Sequence, residues 1–142
     1  MKIMKTAFLL VGLILMPTSV LAVEGDAVLG KWITIDDKTG KQKSIINLYK
    51  KGNKLFGKVE KLLAGATATH CEKCQGDNKG KPITCMTVIK NLKFNGKQWQ
   101  GGTILDPKNG KVYNCKLWHE GDKLKVRGYI SFLYRTQVWK RQ

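Results

Sequence analysis

Along most of the chain, apolar and polar residues alternate in short runs that never settle into a helical period. "KWITIDD", "SIINLYK", "KLFGKVEKLL", "ITCMTVIKNLKF", "QWQGGTIL", "KVYNCKLWH", "KLKVRGYI" and "YRTQVWKR" follow one another, most of them separated by polar, glycine-containing turns. Segments of this length rich in Val, Ile, Tyr, Trp and Thr read as strands. Within them the pleat sorts residues by parity. Tyr113, Cys115 and Leu117 share one face against Asn114 and Lys116, and Leu124, Val126, Gly128 and Ile130 oppose Lys123, Lys125 and Arg127. The apolar sets are assigned to the interior.

The turns carry the topology. In "DPKNG", Pro107 presets φ for the second place of a type I turn, Asp106 accepts from the backbone two residues on, and Gly110 takes the left-handed conformation that follows. "FNGK" puts Asn95 and Gly96 where a two-residue type I′ hairpin needs positive φ twice. Such joins are too short for the crossover of a dozen or more residues that parallel neighbours require. The prediction is an all-β chain of about eight strands, a single small antiparallel up-and-down β-barrel whose closure removes the exposed edges of an open sheet.

The first residues follow different rules. "MKIMK" is basic, "TAFLLVGLILM" is apolar for about a dozen residues, and "PTSVLA" ends in small residues. This predicts an export signal over residues 1–22, cut after Ala22, and a barrel domain over residues 23–142. A membrane-spanning helix needs roughly 20 apolar residues, and this run stops at Pro17. The expected location is therefore periplasmic or secreted. Cys71, Cys74, Cys85 and Cys115 all follow the cut, and in an oxidising compartment such residues pair. Four cysteines allow three connectivities. Removing Lys2 and Lys5 from the 26 basic residues leaves 24 against 10 acidic, a net charge of about +14 after the cut.

One stretch, "HCEKCQGDNKGKP", concentrates chemistry. A zinc site wants four ligands, and His70, Cys71 and Cys74 offer three, the fourth having to come from Cys85, Cys115 or His119 on other elements. A redox CxxC sits at a helix start, where the dipole lowers the thiol pKa, whereas this one precedes loop residues. The expectation is no metal and no cofactor, but a clasp on a long loop, with a Cys71–Cys74 bridge favoured over a tie from the loop to Cys115. No catalytic constellation emerges. Asp36 and Asp37 are adjacent and would point to opposite faces of a strand, and Ser44 and Ser131 have no histidine near them in sequence. The chain is therefore read as a non-enzyme.

"LGKW", opening the first strand with Gly30 and Trp32, and Arg135 in the last-strand "YRTQVW" resemble the structural signature of the calycin superfamily, which includes the lipocalins. What that implies is a first-strand tryptophan closing one barrel end with an arginine packed across its ring. A closer resemblance spans almost the whole chain after the leader. "WITIDDKTGKQKSIINLYK", "GGTILDPKNGKVYNCKLW" and "LKVRGYISFLYRTQVW" are similar to a family of small exported bacterial proteins, domain of unknown function 2147. That resemblance implies a signal peptide, one lipocalin-like barrel and no established activity. Cys85 and Tyr134 depart from its pattern, standing where a small residue such as Gly is common.

The functional expectation is a binding protein for a small apolar or amphipathic ligand, since a barrel of this size can hold one such molecule. Its lining candidates are Ile46, Leu48, Tyr113, Leu117, Val126 and Ile130. The competing expectation is a basic envelope protein that binds anionic surface polymers or lipids with a filled interior. Nucleic acid is disfavoured, because aromatic residues are not interleaved with the basic ones apart from Trp99, Trp118 and Trp139. Protein recovered from an exporting host should have Val23 at its N-terminus by intact mass; retention of residues 1–22 would overturn the leader.

Overall fold

The computed structural model describes residues 11–15 and 25–142. The expected leader and its cut after Ala22 lie outside the described residues, apart from positions 11–15. Among the described residues no helix is long and apolar enough to cross a membrane. The strands are β1 (Gly30–Ile35), β2 (Gln42–Lys51), β3 (Lys54–Leu62), β4 (Thr87–Phe94), β5 (Trp99–Asp106), β6 (Lys111–Glu120), β7 (Lys123–Ile130) and β8 (Leu133–Arg141). They close in sequence order into one antiparallel up-and-down barrel, as the alternation and turn chemistry predict.

Two turns show how local chemistry sets the register. In "DPKNG" the Asp106 carboxylate accepts the Lys108 N–H at 2.9 Å and the Gly110 N–H donates to the Asp106 carbonyl at 2.8 Å. "FNGK" departs from the expected type I′ turn. Positive φ falls on Gly96 alone, because Asn95 instead pairs its N–H with the Gln98 carbonyl and uses its side chain to accept from Lys97 and Gln98. The turn thus moves one residue along, and Phe94 pairs with Trp99.

A second departure is the start of β4, predicted from Ile83 and observed at Thr87. Cys85 sits at φ 71, a left-handed conformation incompatible with a strand. Ile83 and Met86 are nevertheless buried, so the apolar run "ITCM" packs a loop into the barrel rather than extending its wall.

The strand directions give the barrel a closed end and an open end. At the closed end a short 3-10 turn (Asp26–Val28) crosses the base. Trp32 is completely buried and donates its indole N–H to the Val28 carbonyl at 2.9 Å, while Trp99 donates to the Gly25 carbonyl at 3.0 Å. The arginine on the Trp32 ring is Arg141, its guanidinium 3.9 Å from the ring centroid. It also donates to the carbonyls of Leu29 at 2.7 Å and Ala27 at 2.6 Å. Gly30 makes this possible: at φ 106, a Cβ would stand 3.2 Å from the Arg141 side chain.

The assignment of Arg135 to this role is therefore corrected. Arg135 lies at the opposite end of the barrel, exposed and ion-paired with Asp37. The two arginines share the inward parity of β8, and the register of the closing seam, Trp32 opposite Arg141, decides between them. Arg141→Ala should cost about 2 kcal/mol in chemical denaturation, the scale of a ring stack with charged hydrogen bonds. Arg135→Ala should stay within about 0.5 kcal/mol, as a surface ion pair does; equal effects would contradict the assignment.

Candidate functional site

Below mid-height the interior is filled by Leu48, Leu55, Leu92, Leu117, Leu124 and Trp139, all essentially inaccessible. Above it the barrel is hollow. A cavity of about 530 Å³ opens between the β1–β2, β5–β6 and β7–β8 turns and the long β3–β4 connection. Its wall is largely aliphatic: Ile46, Val59, Val88, Ile104, Leu105 and Val126. Of the six predicted lining residues, Ile46, Tyr113, Val126 and Ile130 reach the cavity. Leu48 and Leu117 do not line it. They have the right parity but sit deeper in the packed layer, which corrects their assignment.

Three features of the cup were not predicted. First, Thr34 and Ser44 face each other across β1 and β2 with their hydroxyl oxygens 2.7 Å apart, both buried and both lining the cavity. One hydroxyl donates to the other, which keeps its own O–H for another acceptor. Thr34 shares the parity of Trp32, a signal that was present in the sequence. Second, Gly128 interrupts the inward face of β7 opposite Cys115 and Arg135. A Cβ there would meet Tyr113 at 3.5 Å and Ile104 at 3.6 Å, ordinary contacts. The absent side chain is therefore space in the cup rather than a steric requirement.

The third feature is the charge at the rim, carried by Lys43, Lys108 and Arg135 among the lining residues. The carboxylates beside them are engaged with backbone. Asp36 accepts the N–H groups of Thr39 at 2.8 Å and Lys38 at 2.9 Å, and these bonds, Thr39 foremost, hold its carboxyl below the usual range. Asp106 accepts from Lys108 N–H as above. Both carboxylates keep their charge, Lys43 also helping to hold the Asp36 carboxyl down, and Arg135 is paired with Asp37, so the rim carries charges of both signs.

The β3–β4 connection forms one side of this rim through Ala66, Thr67, Ala68 and Ile83. Cys71 and Cys74 are disulfide-bonded, their Cα atoms 5.3 Å apart, so the favoured local bridge is the one present. Both cysteines are buried, the Cys71 Sγ lying 3.4 Å from the Pro107 carbonyl oxygen. The loop is pressed onto the "DPKNG" turn: a Cβ on Gly110, at φ 72, would fall 1.9 Å from the Lys73 carbonyl oxygen. Both thiols of the CxxC are consumed in this bridge, and the His70 ring is bonded to Thr69 Oγ1 at 2.9 Å.

Cys85 and Cys115 are free, the first exposed and the second buried. Cys115 lies on β6 opposite Gly102 and Gly128, and burial pushes its thiol up to about 12. Of the tryptophans weighed against nucleic acid, Trp99 and Trp139 are in the core, leaving Trp118 on the outside.

A closed eight-stranded barrel, capped by a stacked tryptophan at its base and hollow toward its mouth, is lipocalin-like in fold. Among solved structures the chain is similar to one described as "Protein HP1028 from the human pathogen Helicobacter pylori belongs to the lipocalin family". The TM-score is 0.70 at 16% identity, over 80% of this chain and 82% of that one. No curated protein sequence matches the chain. Residues 30–141 match the model of a family described as "Uncharacterized protein conserved in bacteria (DUF2147)", and the chain belongs to that family.

Thiol chemistry tests the site directly. A thiol reagent at pH 8 should label one cysteine of the folded protein, Cys85, and two after unfolding without reductant. Labelling of two in the native state would contradict the buried position of Cys115, and labelling of four on unfolding would contradict the bridge.

Proposed function

We propose that the protein is an exported binding module that holds one small amphipathic molecule, apolar part in the cup and anionic or polar end at the rim. The observation that carries this reading is the cavity itself. A volume of about 530 Å³ with an aliphatic wall lies within the range of small-molecule sites, and leaving such a wall unfilled forfeits packing that the lower half of the same barrel makes.

The polar groups fit such a ligand. The Thr34–Ser44 pair offers one O–H in an otherwise apolar wall, and Lys43 and Lys108 suit a carboxylate, phosphate or sulfate at the opening. Gly128 leaves room where its neighbours on the inward face would fill it. Binding without turnover is the simpler reading of this set, since the lining hydroxyl of Ser44 has no histidine among the lining residues to act as its base. The Cys71–Cys74 bridge supports work in an oxidising compartment, in keeping with the leader expected from the sequence.

Native mass spectrometry of protein from the exporting host should show a co-purified amphiphile. The folded protein should also bind the fluorescent anion 1-anilinonaphthalene-8-sulfonate in one saturable site. Gly128→Phe places a ring in the cup and should weaken that binding at least tenfold with little change in melting temperature. Undiminished binding in this variant, or no saturable site in the parent, would sink the reading.

A further inference from the structure

The β7–β8 hairpin turns on Ser131 and Phe132, with Ser131 at φ 55. Turns of this kind favour Asn, Asp and Gly, and the other short hairpin tips comply with Gly52–Asn53, Gly96–Lys97 and Gly121–Asp122. Here the sequence is instead "YISFLY". Phe132 is 84% exposed and Leu133 68%, flanked by Ile130, Tyr134 and, on β6, Val112, all exposed as well. Apolar side chains gathered on one projecting turn are a feature that calls for a partner.

The surroundings say which. Behind the tip, on the outward face of β6–β8, the Arg127 guanidinium lies 4.2 Å from the Tyr134 ring centroid and 5.2 Å from that of Trp118, and Lys116 lies 5.1 Å from that of Tyr129. Lys108 on the adjacent turn and Lys111 at the start of β6 follow. Glu120 of β6 and Asp122 of the β6–β7 turn are at the far end of the barrel, and Asp106 on the adjacent turn accepts from the Lys108 N–H. An apolar prong, then tyrosines, then long cationic side chains is the order of layers met on entering an anionic bilayer: acyl chains, interface, phosphates. A fluid surface accepts a convex prong without a matching socket. After the expected cut the chain carries a net charge of about +14, which favours such a surface at a distance.

We propose that the β7–β8 tip docks the protein onto anionic phospholipid bilayers, with Phe132 and Leu133 inserted and Arg127, Lys116 and Lys111 at the headgroups. Ile130, Leu133 and Tyr134 also line the cup, so docking sets its mouth against the bilayer surface. The docking rests on the rim alone and stands whether or not the cup is loaded.

The test is sedimentation of the protein from an exporting host with vesicles of equal phosphatidylglycerol and phosphatidylcholine, against pure phosphatidylcholine. The parent should bind the anionic vesicles, and binding should fall at least tenfold in phosphatidylcholine or at about 0.5 M salt. Phe132→Ser with Leu133→Ser should lose at least tenfold on the anionic vesicles, while Lys97→Ser at the closed end and Gly128→Phe in the cup bind as the parent does. Phe132→Trp should add a blue-shifted emission component when vesicles are supplied. The proposal falls if the parent does not bind, if the double variant binds undiminished, if Gly128→Phe is the variant that loses binding, or if Phe132→Trp shows no shift. It falls equally if size-exclusion chromatography shows a parent dimer that the double variant abolishes, since the patch would then belong to a second copy.

Discussion

The barrel depends on how its first and last strands are held together. Every other neighbouring pair shares a long or well-distributed ladder, whereas β1 and β8 are matched only at Trp32 with Arg141 and Ile33 with Lys140. Backbone pairing at this seam is too slight to account for closure alone. What completes it is Arg141, which lies on the Trp32 ring and donates to two carbonyls of the segment preceding β1, with Gln142 N–H on the Lys31 carbonyl beside it. One guanidinium thereby ties the last strand, the first strand and the basal turn to a single buried indole.

From that closure the division of the interior follows. Around Trp32 the large side chains of Trp99, Trp139 and the leucines fill the base, and a strand spacing that closes there leaves the same circumference to be filled higher up. Toward the mouth smaller or polar inward residues, Thr34, Ser44, Gly128 and Gln137, are set among the aliphatic ones, and a cavity is left. The disulfide loop answers this by packing over one side of the opening without sealing it.

The strands were legible because parity and turn chemistry are local properties, and a pleated strand repeats every two residues. Depth along the barrel axis is not local. Arg135 and Arg141 have the same parity, as do Ile46 and Leu48, or Tyr113 and Leu117, and within each pair only one member performs the predicted role. Choosing it needs the pairing between strands, which for the arginines is the register between β1 and β8, elements separated by nearly the whole chain. Backbone conformation hid in the same way: φ 71 at Cys85 explains why a glycine suits that place, yet nothing in "ITCMTV" announces it. The Cys71–Cys74 bridge was legible because its span is short. The tip "SFL" falls between two predicted strands, and its composition alone does not say whether its apolar side chains face a core or stand clear of it.

The slight seam has one more consequence. Above Trp32 and Ile33, the edges of β1 and β8 run toward the mouth without ladder pairing, bridged near the top by the Asp37–Arg135 ion pair. A wall parts where the fewest hydrogen bonds must be given up, and here that line passes beside Thr34 and Gln137, both of which border the cup. That stretch of the wall is therefore held by side chains rather than by a backbone ladder, and it has the fewest hydrogen bonds to break of any seam in the closed barrel.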